Sequence, residues 1–412
     1  MDHYSIAIAG CGPAGLAVAI LLHEQGHSVT IFDQFDKPGP VGSGLMIQPS
    51  GMAVLDRLGL AAETLKRGAR VDGLLGLEEH GKAVLDAPYS KLGVPGAFGI
   101  GIHRASLFGM LHEAAQAKGI AIETGYGIAG SALTPEGRTL LFDTREPTKP
   151  YDLVIDASGR QSVFDTAPPG HLEFGALWAS LPTFADDPFA GNLLEQRYRR
   201  AAQMVGVLPI GTRKGETKAE VAFFWSLKRT QLAEWQTAPL DQWKENVRAL
   251  WPETQVLLDR ITSRDQLTFA SYSHRMQSPP TRERMIAIGD AWHSASPQLG
   301  QGANMALLDA WGLVQGMAHG RTLREKLELA VSWRHDHVWL YQWVTKLFTP
   351  LYQSNTAWHP AVRDRIMAPL SQVWPISKIQ AQLMSGLFGF PLPPLGLIIP
   401  DYEALASSAS RT

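Results

Sequence analysis

Residues 4–15 read Tyr-Ser-Ile-Ala-Ile-Ala-Gly-Cys-Gly-Pro-Ala-Gly, and their reading decides the fold. Tyr4 to Ala9 has the small and β-branched side chains of a short buried strand. Gly10-Cys11-Gly12-Pro13-Ala14-Gly15 is a G-x-G-x-x-G turn, and the apolar run from about Pro13 to Gln25 is the helix it opens. Gly26 and His27 break that helix, and Ser28 to Phe32 reads as a second strand leading to Asp33. In this βαβ context the motif binds a dinucleotide. Gly10 allows the tight turn, Gly12 lets backbone approach a pyrophosphate, and Gly15 lets helix and strand pack closely. The helix start, with Pro13 and Ala14 in its first turn, offers unpaired N–H groups and a positive dipole end to phosphates. Asp33, about twenty residues beyond the motif, is placed to accept a bond from an adenosine ribose hydroxyl. The motif does not separate FAD from NAD. A carboxylate at Asp33 argues only against a 2′-phosphate at this site.

Working outward, residues 104–118 form an amphipathic helix, with Leu107, Leu111 and Ala114/Ala115 at helical spacing. Asp152 to Ile155 is a strand leading into Asp156-Ala157-Ser158-Gly159. From about 172 to 275 the chain carries β-branched and alternating stretches, such as Ala219 to Trp225, with one helix near 240–250. Strand (Met285 to Ile288), loop (289–301) and helix (302–318) then return, and after 322 the chain is helical and rich in tryptophan. The expected fold is α/β: a Rossmann-like domain of the glutathione reductase type, an inserted sheet-rich substrate domain and a C-terminal helical tail. The expected division is 1–170 with 280–330, then 171–279, then 331–412.

Residues 285–310 read Met-Ile-Ala-Ile-Gly-Asp-Ala-Trp-His-Ser-Ala-Ser-Pro-Gln-Leu-Gly-Gln-Gly-Ala-Asn-Met-Ala-Leu-Leu-Asp-Ala. A carboxylate at a strand end can accept bonds from sugar-alcohol hydroxyls. A glycine-rich loop lets backbone N–H groups approach a flat ring, and a helix starting near Gly302 points its positive end at it. Through Gly289, Asp290, Ala291, His293, Pro297, Gly300, Gln301, Gly302, Asn304 and Asp309-Ala310, the stretch resembles the para-hydroxybenzoate hydroxylase-like (class A) FAD-dependent aromatic monooxygenases. The resemblance implies that Asp290 holds the ribityl chain and that Pro297 to Asn304, including Ala303, lies against the flavin ring. Arg104 matches the arginine that opens a helix near the flavin, and Gly42 to Pro49 matches the stretch beside the isoalloxazine. For His293, structural and catalytic roles stay open. Relatives usually carry Ala-Asp-Gly where this chain has Ala157-Ser158-Gly159, so the binding mode of the reductant is the point at which the pattern departs. The helical tail loosely resembles ubiquinone-pathway hydroxylases.

That family implies the cofactor FAD, with NADH or NADPH as a transient reductant. O₂ would add at flavin C4a, and the hydroperoxide would pass one oxygen to an electron-rich ring. No second G-x-G-x-x-G follows a strand, so no separate nicotinamide domain is expected. An FAD-dependent reductase or halogenase on the same scaffold is the alternative, although the halogenase Trp-x-Trp-x-Ile-Pro motif is not found. No catalytic base is identified. The substrate wall is expected to include Met204, Phe223 and Trp225, since 223 and 225 share a strand face at period two. The lobe shows few buried charges, which favours a neutral aromatic or polycyclic small molecule.

Composition closes other classes. The 412 residues carry a formal charge of -2 with no run of one sign, so no nucleic-acid footprint is expected. The single cysteine, Cys11, excludes an internal disulfide or a multi-cysteine metal site, and no metal is expected. With no signal peptide read at the N-terminus, a cytoplasmic monomer or homodimer is the expectation. The longest apolar stretch, Leu383 to Pro400, is interrupted by Pro391, Pro393 and Pro394, so no transmembrane segment is expected.

Overall fold

The computed structural model describes residues 2–37, 39, 42–165 and 170–409. Met1 and residues 410–412, which the sequence reading counts in the N-terminal segment and the tail, lie outside the described residues. The sheet that carries the glycine turn has six strands. Their order is Thr281–Arg282, Met285–Ala287, Leu153–Asp156, Ser5–Ala9, Ser28–Phe32 and Ala121–Glu123. All neighbours run parallel except the first pair. Both faces are covered, which is why Ser5–Ala9 reads as unbroken apolar sequence. Ile6 and Ile8 pack in the cluster that holds helices Pro13–Glu24, Arg104–Ala117 and Gly302–His319. Ala7 and Ala9 face the opposite way, towards Leu140 and Phe142 of the hairpin formed by Ile128–Leu133 and Arg138–Phe142.

A second sheet of seven strands runs Thr268–Ala270, Phe174–Pro182, Glu220–Lys228, Gln203–Gly211, Leu193–Arg199, Gly73–Glu78 and Ala83–Pro88. It draws residues 73–88 from far upstream through a parallel pairing of Gly73–Glu78 with Leu193–Arg199. One face lies under helix Leu240–Leu250, where Phe223 and Trp225 pack with Trp243 and Val247. The other face, with Ala222, Phe224 and Leu208, packs with Met46 and Trp292 towards the first lobe. A small sheet of Gly44–Ile47, Gly99–His103 and Ala69–Val71 joins the lobes.

The 30-residue helix Leu323–Tyr352 is capped by the Thr322 hydroxyl, which accepts from the Glu325 amide at 3.2 Å. It lies against Gly302–His319 at glycines. A side chain on Gly316 would come within 2.4 Å of the Lys326 carbonyl oxygen, so only glycine permits that approach.

Candidate functional site

The three glycines of the first turn have three separate surroundings. Gly10 sits at φ +104°, donates its N–H to the Phe32 carbonyl at 2.8 Å, and would meet the Ala157 carbonyl at 2.5 Å if it carried a Cβ. A Cβ on Gly15 would lie 2.1 Å from the Gly10 carbonyl oxygen. Around Gly12 nothing lies within 4 Å. That open space, at the uncapped N-terminus of helix Pro13–Glu24, is where phosphate oxygens would sit. Asp33 is half-buried. Its Oδ2 accepts from the Cys11 amide at 2.8 Å and its Oδ1 from the Phe35 amide at 3.0 Å. The carboxylate therefore braces the turn, and its remaining lone pairs are what a ribose hydroxyl would use. Burial, then Asp33, push the Cys11 thiol up to about 12.

The second stretch arrives at the same place. Gly289, at φ +59°, begins a short turn in which Asp290 projects into an accessible recess, and a Cβ on Gly289 would lie 3.2 Å from that of Ala14. A Cβ on Gly302, at the start of the next helix, would come 4.0 Å from Asp290 Oδ1. Dense protein around Asp290 raises its carboxyl above the ordinary value, and His293, Arg104 and Arg160 oppose that rise.

The turn is held from beneath. Asp309, buried in helix Gly302–His319, accepts from the Gly289 amide at 3.0 Å and from His293 Nε2 at 2.6 Å through Oδ2. Its Oδ1 accepts from Arg334 Nε at 2.9 Å, and Arg334 Nη1 reaches His337 Nδ1 at 2.8 Å. Burial alone would raise Asp309, but His293 and Arg334 together hold its carboxyl below the ordinary value. His293 is thus committed to Asp309 through Nε2. Burial, then Arg334, lower His337 well below its usual range.

The loop residues divide by role. Pro297 and Gly302 are exposed, Gly300 (φ +61°) and Ala303 half-buried. Gln301 turns inward and donates to the Met384 carbonyl at 2.7 Å. Asn304 is fully buried. Its Oδ1 accepts from the Gln48 amide at 2.8 Å, and its Nδ2 donates to the carbonyls of Met46 and Gly300, both at 3.1 Å. The Asn304 side chain ties helix to strand and has nothing left to offer a ring beyond its backbone.

Across the recess, Arg104 is exposed, and a Cβ on Gly42 (φ +104°) would lie 3.4 Å from its Nε. Gly44 is required for packing, because a Cβ there would meet Ile210 at 2.4 Å. Ser43 Oγ lies 2.7 Å from Ser180 Oγ, which lies 3.1 Å from His103 Nε2. His103 Nδ1 accepts from the Ala105 amide at 3.2 Å, which caps helix Arg104–Ala117. In the departing motif, Ser158 donates its hydroxyl to Asp156 Oδ1 at 2.6 Å, and Ser162 donates to Oδ2. The carboxylate of this segment is therefore Asp156, two residues before Ser158, and it is buried.

The substrate wall needs correction. Phe223 and Trp225 face the helix-covered side of the second sheet, away from Ser43 and Gly44. Both faces of Glu220–Lys228 are buried, so its apolar run gave no parity from which to choose. Met204 lies on the nearer side and belongs to the cluster containing Tyr198 and Tyr352. Trp178 and Phe224, with rings tilted at 32° and centroids 4.6 Å apart, share the face of Ser180. Trp178 Nε1 donates to Tyr272 Oη at 2.8 Å. The sequence does not single out Trp178, Phe224 or Tyr272, because the pairing register that brings Trp178 beside Phe224 is not visible in one strand alone.

A family model described as an FAD binding domain matches residues 3–341. The chain is 30% identical to 3-amino-4-hydroxybenzoate 2-monooxygenase of Streptomyces cremeus, over 75% of this chain and 77% of that one. It is 24% identical to 6-hydroxynicotinate 3-monooxygenase of Pseudomonas fluorescens, over 81% and 91%. Among solved structures, the tetrameric form of 2-methyl-3-hydroxypyridine-5-carboxylic acid oxygenase superposes with a TM-score of 0.77 at 17% identity, covering 97% of this chain and 99% of that one. Klebsiella pneumoniae HpxO complexed with FAD and uric acid gives 0.75 at 17% identity, covering 93% and 98%.

Proposed function

The chain belongs to the FAD-binding domain family matched over residues 3–341, and from that premise we propose that it is a single-component FAD-dependent monooxygenase of an aromatic small molecule, reduced by NADH or NADPH. One observation carries the reading: the Gly10–Gly15 turn and the Gly289–Asp290 turn, far apart in sequence, meet side by side at Ala14 and Gly289. The residues fit FAD, since Gly12 leaves room for a pyrophosphate and Asp290 opens on the recess beside the start of helix Gly302–His319. Bound there, FAD supplies the two-electron reduction and the activation of O₂. Three of the proteins named above are monooxygenases or oxygenases by name, which favours oxygen transfer over the reductase or halogenase alternative.

The protein's own part divides by residue. Gly10, Gly12, Pro13, Ala14 and Gly15 receive the diphosphate, and Asp33 the ribose. Asp290 takes ribityl hydroxyls, while Pro297, Gly300, Gly302, Ala303 and the backbone of Gln301 and Asn304 border the ring with Arg104. Trp178, Phe224 and Tyr272 wall the substrate chamber and exclude water. Their apolar surface, with one phenol, suits a neutral aromatic or polycyclic substrate. Among the described residues, those of 1–170 and 280–330 other than strands 73–88 form the cofactor lobe, 171–279 with strands 73–88 the substrate lobe, and those from 331 onward the helical cover. The lone buried cysteine accords with a reducing compartment.

Stopped-flow reduction by NAD(P)H, screened across neutral and acidic aromatics, tests the proposal. A substrate should accelerate reduction and carry ¹⁸O from ¹⁸O₂ into product. Reduction without label in product would refute oxygen transfer.

A further inference from the structure

Two groups of apolar side chains in the C-terminal region turn outward. On helix Leu323–Tyr352, Trp339, Trp343 and Leu347 recur every four residues and are 53%, 55% and 52% exposed. Ile366, Leu370, Val373 and Trp374, on the helical turns Arg363–Met367 and Ala368–Ser371 and the bend after them, are 54%, 48%, 57% and 77% exposed, and the first group keeps a one-turn repeat. A helix uses that spacing to bury one face in a core. Here the opposite sides are buried, at Tyr341, Val344 and Thr345 and at Ala368 and Ser371. Of 17 large apolar side chains exposed among the described residues, 12 fall between 339 and 398. Single exposed apolar residues are ordinary, whereas such a concentration marks an interaction surface.

The charges select the occupant. From 365 to 400 the sequence has no Asp or Glu, only Arg365 and Lys378, and both are exposed. Exposed Lys346 lies between Trp343 and Leu347 in sequence. Asp364 is paired with Arg363 at 2.6 Å, and Asp336 lies before the first group, beside His335. This cationic segment belongs to a chain of net charge -2. A second copy docked face to face would set these cations against their own kind with little acid to answer them. An anionic lipid surface answers all three features. Indoles favour the headgroup layer, aliphatic chains the acyl boundary, and Lys and Arg the lipid phosphates. No helix among the described residues is long and apolar enough to cross a membrane, so the protein would lie on the surface. We infer that the outer side of the C-terminal helices docks this protein onto an anionic membrane.

The test uses the full-length, FAD-loaded protein. Co-sedimentation compares vesicles of phosphatidylcholine alone with vesicles that also contain phosphatidylglycerol, at low and high salt. Wild type should bind the anionic vesicles at least about tenfold more tightly and weaken with salt. Val373→Ser/Trp374→Ser and Arg365→Glu/Lys378→Glu should each lose about tenfold, with flavin content and NAD(P)H oxidation unchanged. Equal binding to both vesicle types would overturn the proposal. So would variants that bind like wild type, or a dimer dissolved by Trp374→Ser in a protein that ignores vesicles. Should a variant not fold, the wild-type comparison still decides.

Discussion

The Cβ of Ala14 lies 3.2 Å from the point where a side chain on Gly289 would begin. One residue opens the first helix of the chain, and the other closes the strand Met285–Ala287 and starts the turn bearing Asp290. Gly289 is also at φ +59°, where other residues are strained. The contact leaves no slack between the two halves of the proposed FAD site.

The glycines of the first turn should separate cofactor binding from folding. Gly12→Val enters open space, so the apoprotein should melt close to wild type, yet its FAD affinity should fall more than about tenfold as the phosphate space fills. Gly15→Ala meets the Gly10 carbonyl and should destabilise the apoprotein by about 1–3 kcal/mol. Flavin absorbance after gel filtration, paired with thermal melts, reads both. Equal melting losses in the two variants would contradict the assignment.

Asp309→Asn should be far more damaging than its distance from the recess suggests. It leaves Arg334 buried with a weakened partner and loosens the Gly289 amide, at a cost of about 3–5 kcal/mol for an uncompensated buried charge. Chemical denaturation checks the magnitude. A loss below about 1 kcal/mol would mean that the cluster does not brace the turn.

The buried histidine gives a pH signature. His337 is depressed when folded, so below its ordinary value of 6.5 the unfolded chain takes up a proton that the native one refuses. The stability conferred by the neutral native form is therefore complete above 6.5 and falls as pH drops towards the native value. Denaturation midpoints between pH 7.5 and 5 should decline, and His337→Asn should flatten part of that slope. An identical slope in the variant would remove His337 as its source.

Neighbouring phenylalanines should behave oppositely. Phe223→Ala opens a void beneath helix Leu240–Leu250 and should cost about 3–5 kcal/mol with little change in substrate preference. Phe224→Ala borders the proposed chamber and should change substrate KM and the yield of hydroxylated product per NAD(P)H. Steady-state kinetics across a panel of aromatics will show which one sets selectivity.

The first βαβ unit and the 285–310 stretch were legible because each packs its signal into a few consecutive residues: glycines at fixed offsets, a strand before and a helix after. The Asp309–Arg334 pair could not: Asp309 lies in the matched stretch, but its partner is 25 residues on, in the next helix, with no local pattern of its own. Nor could the parity of Glu220–Lys228, whose two faces are both dry. Residues 73–88 join the second sheet by pairing with a strand more than a hundred residues later, a register that local periodicity does not encode. Asn304 belongs to the matched motif, yet its side chain acts as a clamp between Gln48, Met46 and Gly300.

Cys11 occupies the middle of the glycine turn, 2% exposed, with its thiol pushed up to about 12. Sulfur reacts with peroxide as thiolate, and at neutral pH almost none exists here. An enzyme of this kind that releases hydrogen peroxide when turnover misfires would expose no sulfenic-acid site on cysteine and have no partner thiol for a crosslink. Oxidative wear should accordingly show first at accessible methionine, and repeated uncoupled cycles should leave the nucleotide grip chemically intact.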